Sequence, residues 1–255
     1  MLPRRIGLQA LLQTHEMNTY VLIHGAYHGG WCWARVAKLL RAKGHAVHTP
    51  TLAGMGEHGH LLSKQITLDT HVEDVISHVE TEELENVILV GHSYGGLMIT
   101  GAADRLDGSG RIASLFYLDA LVPTDGTTWS DFHTSEAAAT RHAAAQAAGG
   151  LFLPAPDAAV FGLTDATDIA WANRRLRPHP YGCYLSRMHL PNLAAGRGAA
   201  LLPRTYIDCT HPLYSDFGGL KQRLKADPQW KYIEMRTGHN AMMSAPEELV
   251  RLLLA

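Results

Sequence analysis

The sequence predicts an α/β fold: a mostly parallel, doubly wound sheet with a helical lid inserted part-way along the chain. Three observations predict it. Short apolar, β-rich runs alternate with stretches of helical spacing, the pattern of strands joined by helical crossovers. The alternation breaks between Pro123 and about Pro203, then resumes. The strongest strand run, Val87-Ile88-Leu89-Val90, feeds through Gly91-His92-Ser93-Tyr94-Gly95 into a helical stretch.

Taken in order, Tyr20-Val21-Leu22-Ile23 reads as a buried strand ending at His24-Gly25. Residues 31–43 have helical spacing and stop at Gly44, and Ala46-Val47-His48 is a short strand closed by Pro50. Residues 67–80 form a helix, because Val72, Val75, Ile76 and Val79 recur at i, i+3, i+4 and i+7 and make one apolar stripe. After the Val87–Val90 strand, a helix is expected at about 94–105 and a strand from Ser114 to Leu118. The next 80 residues are Ala-rich, punctuated by Gly and Pro and short of β-branched runs. They read as a mostly helical lid, with a plain helix over Ala137 to Ala148. Strands return at Thr205-Tyr206-Ile207 and from Trp230 to Met235, and residues 246–254 close the fold as a helix. The expected organisation is an N-terminal extension (1–16), an α/β core (17–122 with 203–255) and a lid (123–202).

Composition narrows the function. The 255 residues carry 22 Lys plus Arg against 24 Asp plus Glu, a formal net charge of −2, and 46% are hydrophobic. That balance suits a globular protein with a large core. With no basic run, it argues against a nucleic-acid partner, which calls for a Lys/Arg-rich face. No apolar stretch is long enough to span a bilayer, so no membrane partner is expected. Cys32, Cys183 and Cys209 are too few and scattered for a disulfide framework, which suits core thiols or a reducing, cytoplasmic setting. The leader MLPRRIGLQALLQTHE has too short an apolar patch for a secretory signal and reads as a loose extension or an upstream start. Oligomeric state is not legible.

The turn at residues 91–95 carries chemistry. G-x-S-x-G between a strand and a helix puts a serine on a sharp, strained turn, and side chains at either glycine would collide with the neighbouring helix and strand. Ser93 is therefore the candidate nucleophile. An isolated serine hydroxyl is a poor nucleophile and needs a base. Of the 16 histidines, His239 is best placed, in Thr237-Gly238-His239-Asn240 between the last strand and the last helix. His24, His28, His58 and His60 lack the Cys or carboxylate spacing of a metal site and read as loop histidines, so no metal or cofactor is expected.

Together, Val21-Leu22-Ile23-His24-Gly25-Ala26-Tyr27-His28-Gly29-Gly30-Trp31-Cys32-Trp33, Gly91-His92-Ser93-Tyr94-Gly95-Gly96 and Thr237-Gly238-His239 resemble the α/β-hydrolase superfamily. The closer resemblance is to the branch of plant methyl-ester esterases, hydroxynitrile lyases and small bacterial esterases, carbendazim-type carbamate hydrolases among them. The resemblance implies that the lid follows the sixth strand of the family fold. It also implies an oxyanion hole formed by the backbone N–H groups of Ala26 and Tyr94.

The chain departs from the branch at the acid. The plant members carry an aspartate six residues after the tyrosine matching Tyr206, where this chain has Pro212. Three carboxylates remain: Asp119 first, at the end of the Ser114–Leu118 strand, where certain other hydrolases of the fold carry their acid; Asp216 second, in a later loop; and Asp208 third, within a strand.

The expected activity is a serine hydrolase acting without cofactor on a small-molecule ester, carbamate or amide, through an acyl-enzyme on Ser93. The alternatives are a hydroxynitrile-lyase-like enzyme and a non-catalytic receptor of the same fold. The resembling lyases carry Thr where Gly25 stands and Lys where Asn240 stands, which disfavours the first. Trp129, Phe132, Phe152 and Phe161 are the aromatic candidates for lining a substrate pocket, and are equally suited to forming the lid's own core.

Overall fold

The computed structural model describes residues 17–255; the expected N-terminal extension, 1–16, lies outside the described residues. Six parallel strands form the central sheet: β1 (Thr19–Ile23), β2 (Ala46–His48), β3 (Val87–His92), β4 (Ile112–Leu118), β5 (Arg204–Cys209) and β6 (Lys231–Met235), in the spatial order β2-β1-β3-β4-β5-β6. The helices around it are α1 (Ala34–Ala42), α2 (Leu68–Thr81), α3 (Gly95–Arg105), α4 (Ser135–Ala147), α5 (Ala166–Asn173), α6 (Leu220–Ala226) and α7 (Pro246–Leu253). Most predicted elements fall within a residue or two of their observed bounds.

Sequence dictates these elements locally. The apolar stripe of α2 is buried as expected at Val72, Val75, Ile76 and Val79, each worth about 1.5–3 kcal/mol of hydrophobic stabilisation. A capping box closes its first turn, with Thr67 and Thr70 satisfying each other's backbone N–H groups. In β1, Tyr20, Val21, Leu22 and Ile23 are all fully buried, as a strand covered on both faces requires.

Two features of the topology place the site. The chain runs outward from β1 to β2 and returns on the other side of β1 as β3, so the order reverses between β1 and β3. The loops leaving these two strands part there and open the crevice where sites of such sheets form. The second feature is the segment between β4 and β5, which adds no strand to the central sheet. It holds α4, α5, several short helical turns and a two-residue antiparallel pairing of Phe152–Leu153 with His179–Pro180. It leaves after the fourth strand of the described sheet, the strand that the family resemblance numbers sixth.

Candidate active site

Ser93 sits between β3 and α3 with φ +53°, a left-handed conformation that costs a non-glycine residue roughly 1–3 kcal/mol and persists only where its surroundings enforce it. Those surroundings are close. A Cβ at Gly91 would lie 2.6 Å from the Gly95 carbonyl oxygen, and one at Gly95 would lie 2.7 Å from that of Ile23. Both flanking glycines are thus required, because a side chain at either would make the helix and strand collisions that the motif predicts. Backbone bonds tie the turn to the end of β4: Ser93 N–H donates to the Leu118 carbonyl at 3.1 Å, and Leu121 N–H to that of Ser93 at 3.0 Å.

His239 arrives from the loop after β6, and its Nδ1 lies 2.6 Å from Asp119 Oδ2. Asp119 is fully buried at the end of β4, has φ +43°, and its own N–H donates to Ile207 in β5 at 2.7 Å. A carboxylate at Nδ1 selects the tautomer protonated there and leaves the other ring nitrogen as the base. Of the three candidate acids, only Asp119 meets His239. Asp216 Oδ1 accepts the N–H of Gly218 in an exposed loop, and Asp208 accepts from the Tyr232 hydroxyl at 2.7 Å. The histidine loop is clasped from the inserted segment, where Asn240 N–H donates to the Phe161 carbonyl at 3.2 Å.

Ser93 and His239 line one enclosed cavity of about 30 Å³, shared with Ala26, Trp129, Phe161 and Tyr214. Tyr214 stacks on His239 with ring centroids 4.0 Å apart. Arg141, Tyr214 and Phe217 also border an outer cavity of about 430 Å³, on which Phe132 lies. Of the four aromatic candidates, Trp129 and Phe161 therefore reach the inner cavity and Phe132 the outer one. Phe152 lines neither; its backbone is committed to the pairing with Pro180. Among the described residues the Ala26 and Tyr94 N–H groups make no turn hydrogen bond, and the Tyr94 ring turns away, its hydroxyl 2.9 Å from His71 Nδ1.

The neighbouring histidines are held neutral. Burial pushes His28 down to about 3 and His24 to about 4, and takes His92 well below the ordinary imidazole range. Each is used structurally. His24 and His28 donate from Nδ1 to the carbonyls of Gly25 and Ala26, and His92 Nε2 donates to the His239 carbonyl at 3.0 Å. No motif brings His71, His179 and Cys183 together in the sequence. They are all buried, with donor atoms within 4.8 Å of one another, and form the one group among the described residues able to hold a metal ion. His71 is already engaged there by Tyr94 and the Ala53 carbonyl.

Sequence reasoning also missed Lys221. From α6 its ammonium reaches Asp119 Oδ1 at 2.5 Å and Asp208 Oδ1 at 2.7 Å, with only 5% of the residue exposed. Burial works against this charge, but the two carboxylates outweigh it and hold the lysine above its ordinary pKa. A carboxylate within a buried strand signals that some cation is needed, but not which of the 22 lysines and arginines supplies it.

This architecture is that of one group of proteins, the α/β hydrolases. The chain matches the alpha/beta hydrolase family over residues 20–252 and belongs to it. It is 39% identical to a carbendazim hydrolyzing esterase from Nocardioides sp. (strain SG-4G), over 94% of this chain and 99% of that protein. Methylesterase 10 of Arabidopsis thaliana is 34% identical over 45% of this chain and 43% of its own length. Among solved structures, an extracellular α/β-hydrolase from a Paenibacillus species superposes with a TM-score of 0.81 at 22% identity, covering 93% of this chain and 98% of that one. Esterase-type hydrolysis is the activity these relationships support. Among the described residues no helix is long and apolar enough to cross a membrane.

Proposed function

We propose that the protein is a serine hydrolase of carboxylic esters or of carbamates and amides of small organic molecules, working through an acyl-enzyme on Ser93. The observation that carries this reading is the 2.6 Å contact between His239 and Asp119, made beside the cavity that His239 shares with Ser93. Ser93 Oγ bonds to the substrate carbonyl carbon while His239 takes its proton. The Ala26 and Tyr94 N–H groups hold the oxyanion, the largest single electrostatic contribution in most acyl transfers. Collapse expels the alcohol or amine, which receives the proton from His239. A water molecule, deprotonated by the same histidine, then releases the acid and restores Ser93.

The cavity dimensions favour a substrate with a small group beside the carbonyl. The inner cavity, about 30 Å³, has room for no more than a few small atoms or a water or two, whereas the outer one, about 430 Å³, suits a larger ring system. Residues 123–202 act as the lid, since Trp129 and Phe161 of this segment wall the inner cavity. The lyase alternative loses further ground. A Cβ at Gly25 would stand 2.7 Å from His92 Nδ1, so a threonine does not fit there, and the Asn240 amide lies 3.2 Å from His28 Nε2. A receptor without chemistry would leave every substrate of a hydrolysis panel intact, so turnover separates it from the hydrolase.

The test is a panel of esters, carbamates and anilides graded in acyl and leaving-group size, run with the wild type and Ser93→Ala. Turnover of at least one class, lowered several orders of magnitude in the variant, is the expected result. Undiminished turnover by a folded Ser93→Ala protein would overturn the reading.

A further inference from the structure

His239 faces more than a single aspartate. Asp119, Lys221 and Asp208 form a continuous buried chain, with the lysine 2.5 Å from one carboxylate and 2.7 Å from the other. Asp119 is fully buried, and Lys221 and Asp208 are only 5% and 8% exposed, so solvent screens these charges little. The ammonium thus meets one carboxylate oxygen on each side, both within direct ion-pair contact. With both carboxylates ionised and the lysine protonated, the cluster carries one net negative charge. Asp119 and Lys221 alone would sum to zero.

We propose that Asp208 and Lys221 are positioning residues for the histidine. Lys221 fixes the Asp119 carboxylate and draws off part of its charge, and Asp208 returns that charge, so the triad acid acts as a three-residue unit. This rests on the Ser93–His239–Asp119 reading. β5 is the strand after which the resembling plant enzymes carry their acid. Here it supplies its carboxylate from Asp208, separated from the histidine by Lys221 and Asp119.

Other groups near the unit do not change charge as the histidine titrates. Tyr206 and Cys209 lie beside the carboxylates, and burial raises both well above their ordinary range. Burial also raises Tyr232, which donates to Asp208. The apolar ring of Phe217 lies 5.5 Å from the ammonium. Around His239, burial keeps His92 and His28 neutral and raises Tyr214. Arg141, across the cavity, remains cationic throughout.

The charge arithmetic gives signs that a purely structural role would not. Lys221→Met leaves the carboxylates undiluted and stabilises the imidazolium, so the acid limb of kcat/KM should move to higher pH. Asp208→Asn leaves a neutral Asp119–Lys221 pair, so the limb should move to lower pH and kcat at the plateau should fall. Each shift should be on the order of one pH unit, the scale of a single nearby charge at partly screened sites. The double variant again leaves one negative charge and should return towards the wild-type profile.

The experiment is the pH profile of ester hydrolysis for the wild type and the three variants, with Ser93→Ala as a control. If Lys221→Met does not fold, Asp208→Asn and the double variant decide the matter. Opposite shifts that the double variant cancels, or a downward Asp208→Asn shift reversed by adding Lys221→Met, support the unit. Shifts of one sign, or unmoved limbs in folded variants, overturn it. Retained activity in Ser93→Ala would instead overturn the underlying serine mechanism.

Discussion

Gly25→Ala adds one methyl group to the loop after β1, beside the serine turn. The new Cβ would lie 2.7 Å from His92 Nδ1 and 3.0 Å from Ser93 Cβ. Ordinary contact starts near 3.4 Å, so His92 must retreat by the difference, about 0.7 Å. It has nowhere to go. It is 1% exposed, its Nε2 is held 3.0 Å from the His239 carbonyl oxygen, and its ring sits 4.6 Å from that of His239. The displacement therefore passes to the serine or to the histidine backbone. Overpacking of this kind costs about 1–3 kcal/mol of stability. A misplacement approaching 1 Å at reacting groups costs about 10²-fold in rate. The expected result is a folded protein melting several degrees lower, with kcat/KM for p-nitrophenyl acetate reduced about 10- to 100-fold. Thermal melts and initial rates measure both. Wild-type activity with an unchanged melting temperature would refute the reasoning, because it would mean that His92 has room and the first loop need not press against the serine turn.

Two further outcomes follow from the geometry. Asp119→Asn keeps the shape of the acid but removes its charge, and should lower kcat by about 10²–10⁴ with little loss of folding, while Asp216→Asn, in an exposed loop, should leave steady-state rates near the wild type; a crippled Asp216→Asn with a mild Asp119→Asn would move the acid to the later loop. Tyr214 borders both the inner and the outer cavity and stacks on His239, so Tyr214→Ala should raise kcat/KM for esters of bulky acids relative to acetates; competition assays with paired substrates would show an unchanged ratio if the ring does not restrict the inner cavity.

The readable parts of the site are local in sequence. Ser93 is marked by five consecutive residues between a strand and a helix, and His239 by its position after the last strand, because the backbone demands of each turn are met by adjacent residues. Asp119 was reachable only through the anomaly at Pro212, since a lone aspartate at a strand end has no distinguishing neighbours. Lys221 was not readable. In Leu220-Lys221-Gln222-Arg223-Leu224 it looks like a solvent-facing lysine, and only the fold, across 102 residues of chain, brings it to Asp119. The same holds for Arg141 and Tyr214, which lie on separate parts of the chain and meet only at the cavity wall. Four of the six described non-glycine residues with positive φ are at the site: Tyr27, Ser93, Asp119 and Phe217. Only that of Ser93 was implied by a motif. Phe132 and Phe152 show the converse limit, since aromaticity within the inserted segment does not say which way a ring is drawn.

The most direct test is to catch the covalent intermediate. Wild-type protein is mixed with a slowly deacylating phenyl ester or carbamate, quenched in acid within the first turnovers, and analysed by intact mass and peptide mapping. The expected result is one acyl or carbamoyl group per chain on the peptide containing Ser93, formed together with a first-turnover burst of about one equivalent of phenol. Steady turnover with no adduct, or an adduct on any residue other than Ser93, would contradict the acyl-enzyme.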